Sequence, residues 1–281
     1  MTIYLDHVTQ FVKDRDETAR AYRELGFNAT PGGIHKGFGS ANNLCYFDLF
    51  YIEMLSIHDI DEALNGGSAV CRAAVEFIAK GNGLGGVALE ADDLTVAAER
   101  LARFGAEVGE VVDMQRVQDD GFVSRSRIIY PMLTGAAVPL PIVIERNLEP
   151  GARRPMLAER GVIADHPAGQ FEIDSVALTT ADLEGAVRIF ADGYGFAVSD
   201  RYEDEALGGN CVRFAANRGD IVICQPNGPG RAWERLDTRG PGLFAITLQA
   251  DESEGLRVRF AADPEGFIPV DAVSGALIRL N

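Results

Sequence analysis

The chain has 281 residues, with 26 Lys or Arg against 42 Asp or Glu, a formal net charge of −16. A surface this acidic repels phosphate backbones, which argues against nucleic-acid binding; its blander use is solubility. An apolar content of 47% predicts a self-sufficient globular core, no apolar run reaches the ~18 residues of a membrane span, and no export signal is visible, so the expected setting is the cytoplasm.

In chain order, "LDHVTQF" (5–11) alternates as a strand with Leu5, His7 and Thr9 on one face. Through residue 30 there follow a turn rich in Asp and Thr, an amphipathic helix, and Gly26-Phe27 opening another strand. The Asp and Thr residues suit helix N-caps, and Gly26 suits the C-terminus. "TPGGIHKGFGSANNL" (30–44) reads as a Gly-rich loop or hairpin carrying His35, Asn42 and Asn43, and "LFYIEMLSI" (49–57) as an apolar strand around Glu53. Residues 58–82 are irregular apart from the helical "SAVCRAAVEFIAK".

The pattern then recurs. "GLGGVALEADDLTVAAERLARFGAEV" (83–108) repeats strand, cap, helix and Gly stop. "SRSRIIYPM" (124–132) places Arg125 and Arg127 on one strand face, and "LPIVIERN" (140–147) is an apolar strand around Glu145. A third copy begins at "IDSVALTTADLEGAVRIFADGYGFAVS" (173–199), and a shorter fourth at "GLFAITLQADESEGLRVRFA" (242–261). Each unit is β-α-β-β-β, with the last abbreviated. Paired units bend into a curved sheet whose concave side can enclose a ligand. The expectation is an α+β fold of four βαβββ modules in two domains, 1–147 and 171–281, joined by a Pro-, Gly- and Arg-rich linker, 148–170. The scattered Cys45, Cys71, Cys211 and Cys224 read as reduced thiols.

A lone histidine in a strand is ordinarily a hydrogen-bonded core residue. Glu53, however, sits where an unpaired carboxylate is costly to bury, and Glu145 repeats the oddity at the matching place. Together with His7 they offer the nitrogen and oxygen donors of a divalent site. The alternative is that each glutamate pairs with an arginine: Arg125, Arg127 or Arg146. Arg125 and Arg127 suit a substrate carboxylate if they face a cavity, and otherwise form a solvated or ion-paired face. His35 is either an acid–base or carboxylate-binding group or a solvated hairpin residue. His58 and His166 lie in polar, loop-like stretches and are expected to have no chemical role.

The repeat, with "LDHV", "TPGGIHKGFGSANNL" and "YIEML" (51–55), resembles the vicinal oxygen chelate superfamily, and most closely its glyoxalase-like branch. Ser40 stands where that branch more often has threonine. The superfamily hosts isomerases, lyases, oxygenases, transferases and non-catalytic binders, so the resemblance speaks more to fold than to activity. It implies a metal in the concave sheet, held from the first and last strands of two paired units. Those positions are His7 and Glu53 in unit one, and Gly86 and Glu145 in unit two. Units three and four offer Ser175, Cys224, Ile246 and Arg279, so the site is expected in the N-terminal half.

Many active relatives have a histidine where this chain has Gly86. Either water fills that place, or His35 swings in, or no metal binds. The resulting expectation is an isomerase or lyase in which a divalent ion (Zn, Fe, Mn, Ni or Mg) binds two oxygens of a small oxygen-rich substrate and stabilises an enolate or similar oxyanion. A carboxylate is among the candidate substrates. His7, Glu53 and Glu145 are the expected metal ligands, His35 and Glu145 the catalytic candidates, and Asn42, Arg125 and Arg127 the substrate-binding ones. An extradiol-type ring-cleaving dioxygenase and a metal-free small-molecule binding protein are the alternatives. The expected partner is a small molecule, with a homodimer as the assembly to test.

Overall fold

The computed structural model describes residues 1–251 and 253–281; Glu252, inside the fourth copy, lies outside the described residues. The first unit is β1 (Ile3–Phe11), α1 (Arg15–Leu25), β2 (Ala29–His35), β3 (Ser40–Phe47) and β4 (Phe50–Ile57), followed by α2 (Ile60–Asn65) and α3 (Ala69–Ile78). The second is β5 (Gly83–Ala91), α4 (Leu94–Phe104), β6 (Val112–Val117), β7 (Val123–Ile129) and β8 (Ile142–Arg146), with α5 (Pro150–Glu159) after it. The third is β9 (Phe171–Thr179), α6 (Leu183–Arg188) running into a π-helical turn (Ile189–Tyr194), β10 (Val198–Asp204), β11 (Gly209–Ala215) and β12 (Asp220–Pro226), then α7 (Arg231–Arg239). The fourth is β13 (Gly242–Ala250), α8 (Ser253–Arg259) and β14 (Ile278–Leu280).

The fold is α+β, with four β-α-β modules and curved mixed sheets, as the repeat implies. Local chemistry sets the helix ends. Asp14 accepts from the backbone N–H groups of Asp16 and Glu17, and Gly26 closes α1 at φ 90°. Asp93 and Gly105 do the same for α4. Each cap satisfies amides or carbonyls that the helix itself cannot.

Strands of the first two modules close into a barrel in the order β1-β4-β3-β2-β6-β7-β8-β5, while the last two make an open sheet, β10-β11-β12-β9-β13-β14. Closure depends on a short β2–β6 pairing, Ile34 with Val117 and His35 with Arg116. The Gly-rich stretch is thus two strands rather than a loop. Glycine is needed there because a Cβ on Gly33 would lie 2.4 Å from the Val117 carbonyl oxygen, and one on Gly32 would lie 2.0 Å from Asn42 Oδ1.

The face of the open sheet that corresponds to the barrel interior is filled. Ala177, Cys211, Val222, Cys224, Ala245 and Phe267 pack there with Ala232 of α7. All four cysteines are buried and free.

The linker contains α5, and its His166 is buried. His166 packs against Phe27, Phe47 and Phe171, and its Nδ1 accepts the Asn28 N–H at 2.9 Å. Burial pushes its pKa from 6.5 down to about 4. The unfolded chain therefore binds a proton that the native state refuses. The stabilisation from neutral His166 is complete above pH 6.5 and is lost as pH falls through 4, a change of about 3 kcal/mol. The variant His166→Asn keeps an acceptor for Asn28 and should flatten that limb. Urea midpoints at pH 7 and pH 4 test this; equal pH dependence in variant and wild type contradicts it.

Candidate functional site

The barrel interior gathers side chains from β1, β2, β3 and β4. Along β1 and β5 the register passes from Leu5↔Leu89 to His7↔Ala88, so Asp6 is an extra residue at a β-bulge. The bulge lets Asp6 stand behind its neighbour: Asp6 Oδ1 lies 2.7 Å from His7 Nδ1. His7 stacks on Tyr51, with ring centroids 4.5 Å apart, and its Nε2 lies 3.3 Å from Glu53 Oε2. His35, at the end of β2, is tied through Nδ1 to Ser40 Oγ at 2.9 Å and brings Nε2 to 3.5 Å from Glu53 Oε1. Thr9 Oγ1 donates to Glu53 at 3.3 Å and Asn42 Nδ2 donates at 2.5 Å. His7, His35 and Glu53 are 4%, 8% and 7% exposed, which places the cluster out of bulk water.

Electrostatics divides the two imidazoles. Burial opposes charge on His7, but the Asp6 and Glu53 carboxylates outweigh it and raise its pKa. Burial drives His35 down to about 4, with Arg116 and His7 acting in the same direction against Glu53. Burial alone would raise Glu53; hydrogen bonding and charge from His7, with His35 and Asn42, hold it well below the usual carboxylate range. One carboxylate thus faces one imidazole that favours its proton and one that is neutral at pH 7.

The cluster lines a cavity with Tyr51, Arg116, Tyr130, Ile144 and Arg146 among its walls. A second space adjoins it; Thr9, Val70, Tyr130 and Ile142 line both. Arg116 is 9% exposed. Its Nε is buried without a hydrogen-bond partner, and among the described residues no carboxylate pairs with it.

The expectation for Glu145 is corrected. Ile142, Ile144 and Arg146 of β8 face the cavity, so strand alternation turns Glu145 outward. There it pairs with Arg127 (Nε to Oε2, 2.6 Å) and accepts the Leu94 N–H at the start of α4 at 3.2 Å. Arg125 and Arg127 are corrected for the same reason: Ser124, Ser126 and Ile128 of β7 face inward, and both arginines lie exposed on the outer side. Asn42 is inside. Gly86 lies opposite Thr9, and a Cβ there would meet nothing within 4 Å. His35 arrives on a strand, not from a mobile loop. Sequence reasoning missed Arg116; its signal is the alternation of Met114 and Arg116 with Asp113 and Gln115 in "DMQR".

Among the described residues no set of three or more His, Cys, Asp or Glu side chains is already spread as a metal cage; His7 and His35 close on Glu53 instead. The donor chemistry nevertheless fits a divalent transition metal. Two imidazole Nε2 atoms and a carboxylate converge, and each Nδ1 is tied from behind, by Asp6 or by Ser40. The neighbouring Asn42 Oδ1 is buried with no hydrogen-bond partner.

A family model described as a glyoxalase-like domain matches residues 5–194. Among solved structures, a hypothetical protein from Staphylococcus aureus superposes with a TM-score of 0.76 at 15% identity, covering 99% of each chain. An engineered variant of 4-hydroxymandelate synthase from Streptomyces coelicolor superposes with a TM-score of 0.61 at 12% identity, over 96% of this chain and 78% of that one. At such identities the likeness shows the fold alone. A search of curated proteins finds no match. With the family match spanning the whole barrel and reaching into the third module, the chain belongs to the glyoxalase-like domain family of the vicinal oxygen chelate superfamily.

Proposed function

We propose that the protein is a metal-dependent enzyme, of isomerase or lyase type, acting on a small oxygen-rich substrate inside the barrel. The observation that carries this reading is the buried convergence of His7 Nε2, His35 Nε2 and Glu53, each imidazole backed by its own hydrogen bond. These three residues would hold the ion. When bound, a divalent ion there supplies Lewis-acid polarisation of the substrate's oxygens. Asp6 and Ser40 fix the two ring orientations, while Thr9 and Asn42 fix the carboxylate. Tyr51 covers one face of His7, and burial keeps water from competing.

Two imidazoles with one carboxylate are also the donor set of non-haem iron oxygenases, which supports a dioxygenase as the second reading.

Elemental analysis of protein purified with divalent metals supplied is expected to find about one equivalent per chain. That metal should be lost in His7→Ala and in Glu53→Gln. At a hundred times the Kd, metal should add about 2.7 kcal/mol of stability, read as a raised Tm. Iron rather than zinc or manganese would select the oxygenase reading. A metal-free protein with unchanged Tm after supplementation overturns both and leaves a small-molecule binding protein.

A further inference from the structure

The barrel holds two features that no metal explains. The first is Arg116, a nine-tenths-buried residue on the cavity wall with a buried, unpartnered Nε and no carboxylate beside it among the described residues. Burying an uncompensated cation is costly, and its planar fork is the group suited to bind a carboxylate with two hydrogen bonds. The other arginines of the interior are spoken for: Arg146 binds Asp6, and Arg153 binds Asp6 and Glu90. The second is the adjoining space lined in part by Gly86. No charged side chain lines it; its walls include Phe11, Val87, Leu140, Leu178 and Leu243. Gly86 holds it open, since a side chain there would point into free space. Thr9, Val70, Tyr130 and Ile142 also line the compartment of His7, His35, Glu53 and Arg116, so the two spaces adjoin.

We infer that the substrate is a carboxylic acid bearing an apolar chain, with its carboxylate on Arg116 and its chain in the compartment opened by Gly86. This rests on reading the barrel interior as the active site, but not on the metal. Charge and apolar volume are provided in two adjoining compartments, which matches an acid with an apolar chain.

The test is calorimetric binding of straight-chain carboxylates from butyrate to decanoate, and of the matching primary alcohols, to EDTA-treated and to metal-supplied protein. Carboxylate affinity is expected to climb about fourfold per methylene, with alcohols about ten- to a hundredfold weaker. Arg116→Met should erase the preference for carboxylate, and Gly86→Phe should flatten the climb. Gly86 has an ordinary strand backbone that accepts a side chain, and Tm checks that the variant folds. Ala73→Phe, on the exposed side of α3 at the cavity wall, gives a second way to block the space. A flat series in the wild-type protein, or equal affinity for acid and alcohol, overturns the inference. A full climb in a protein that takes up no metal upholds it and overturns the metal reading alone. A metal-replete protein with a flat series does the reverse.

Discussion

Replacing Asp6 with asparagine is expected to destabilise the protein by about 3–5 kcal/mol, the cost of breaking a buried ion pair from one side. Asp6 has no solvent exposure and is the acceptor for three groups. Its Oδ1 receives His7 Nδ1 at 2.7 Å and Arg146 Nη2, and its Oδ2 faces Arg146 Nε at 3.3 Å and Arg153 Nη2 at 3.4 Å. Burial would raise its pKa; Arg146, with His7 and Arg153, holds it well below the carboxylate range instead. An asparagine amide offers one oxygen and turns an NH2 donor toward donors, so Arg146 keeps its charge and loses its counter-ion. Arg154→Ala is the matched control. Arg154 holds Asp48 at 2.6 and 2.7 Å, but both side chains are about half exposed, and its loss should cost at most about 1 kcal/mol. Urea unfolding of both variants decides the matter; a loss in Asp6→Asn no larger than in Arg154→Ala refutes the prediction. The same substitution removes the group that orients His7, so under the proposed metal-dependent reading metal uptake should fall with stability.

The parts of this molecule visible in its sequence are those set by local chemistry. The Asp and Gly residues bracketing α1 and α4 announce those helices, and the recurrence of the pattern announces the four modules. The abbreviated fourth module is real, reduced to β13, α8 and β14. The site was half legible. His7 and Glu53 stand out because polar groups in apolar strands need a reason. Glu145 stood out equally, but "PIVIER" is apolar on both faces, so composition does not say which parity faces in; one residue separates Glu145 outside from Arg146 inside. His35 and Arg116 meet only because β2 pairs with β6 across the closing seam, a contact between residues far apart in the chain. The bulge at Asp6 leaves no mark in a single sequence, yet it is what allows adjacent residues to act together.

Truncating Phe27 to alanine should cost about 3–5 kcal/mol, the range for a large aromatic removed from a core that cannot collapse around the void. Phe27 is 1% exposed, and five rings surround it. Tyr22, Phe47 and His166 lie with centroids 5.8, 6.0 and 5.8 Å away, and Phe171 and Phe260 at 5.0 and 5.6 Å. Tyr22 and Phe47 belong to elements of the barrel half, whereas Phe171 lies on β9 and Phe260 follows α8. One ring therefore packs against both sheets, and the cavity left by its loss is bordered by rings anchored on strands that cannot all move inward at once. The damage should reach the open sheet as well as the barrel. Trp233, the only tryptophan, lies on α7, a helix packed on that sheet, and is itself about half exposed. Fluorescence of Trp233 and far-UV circular dichroism should both show the lowered transition in Phe27→Ala. A loss below about 1 kcal/mol, or a shift in dichroism that leaves the Trp233 transition in place, means that the two sheets are not coupled through this ring.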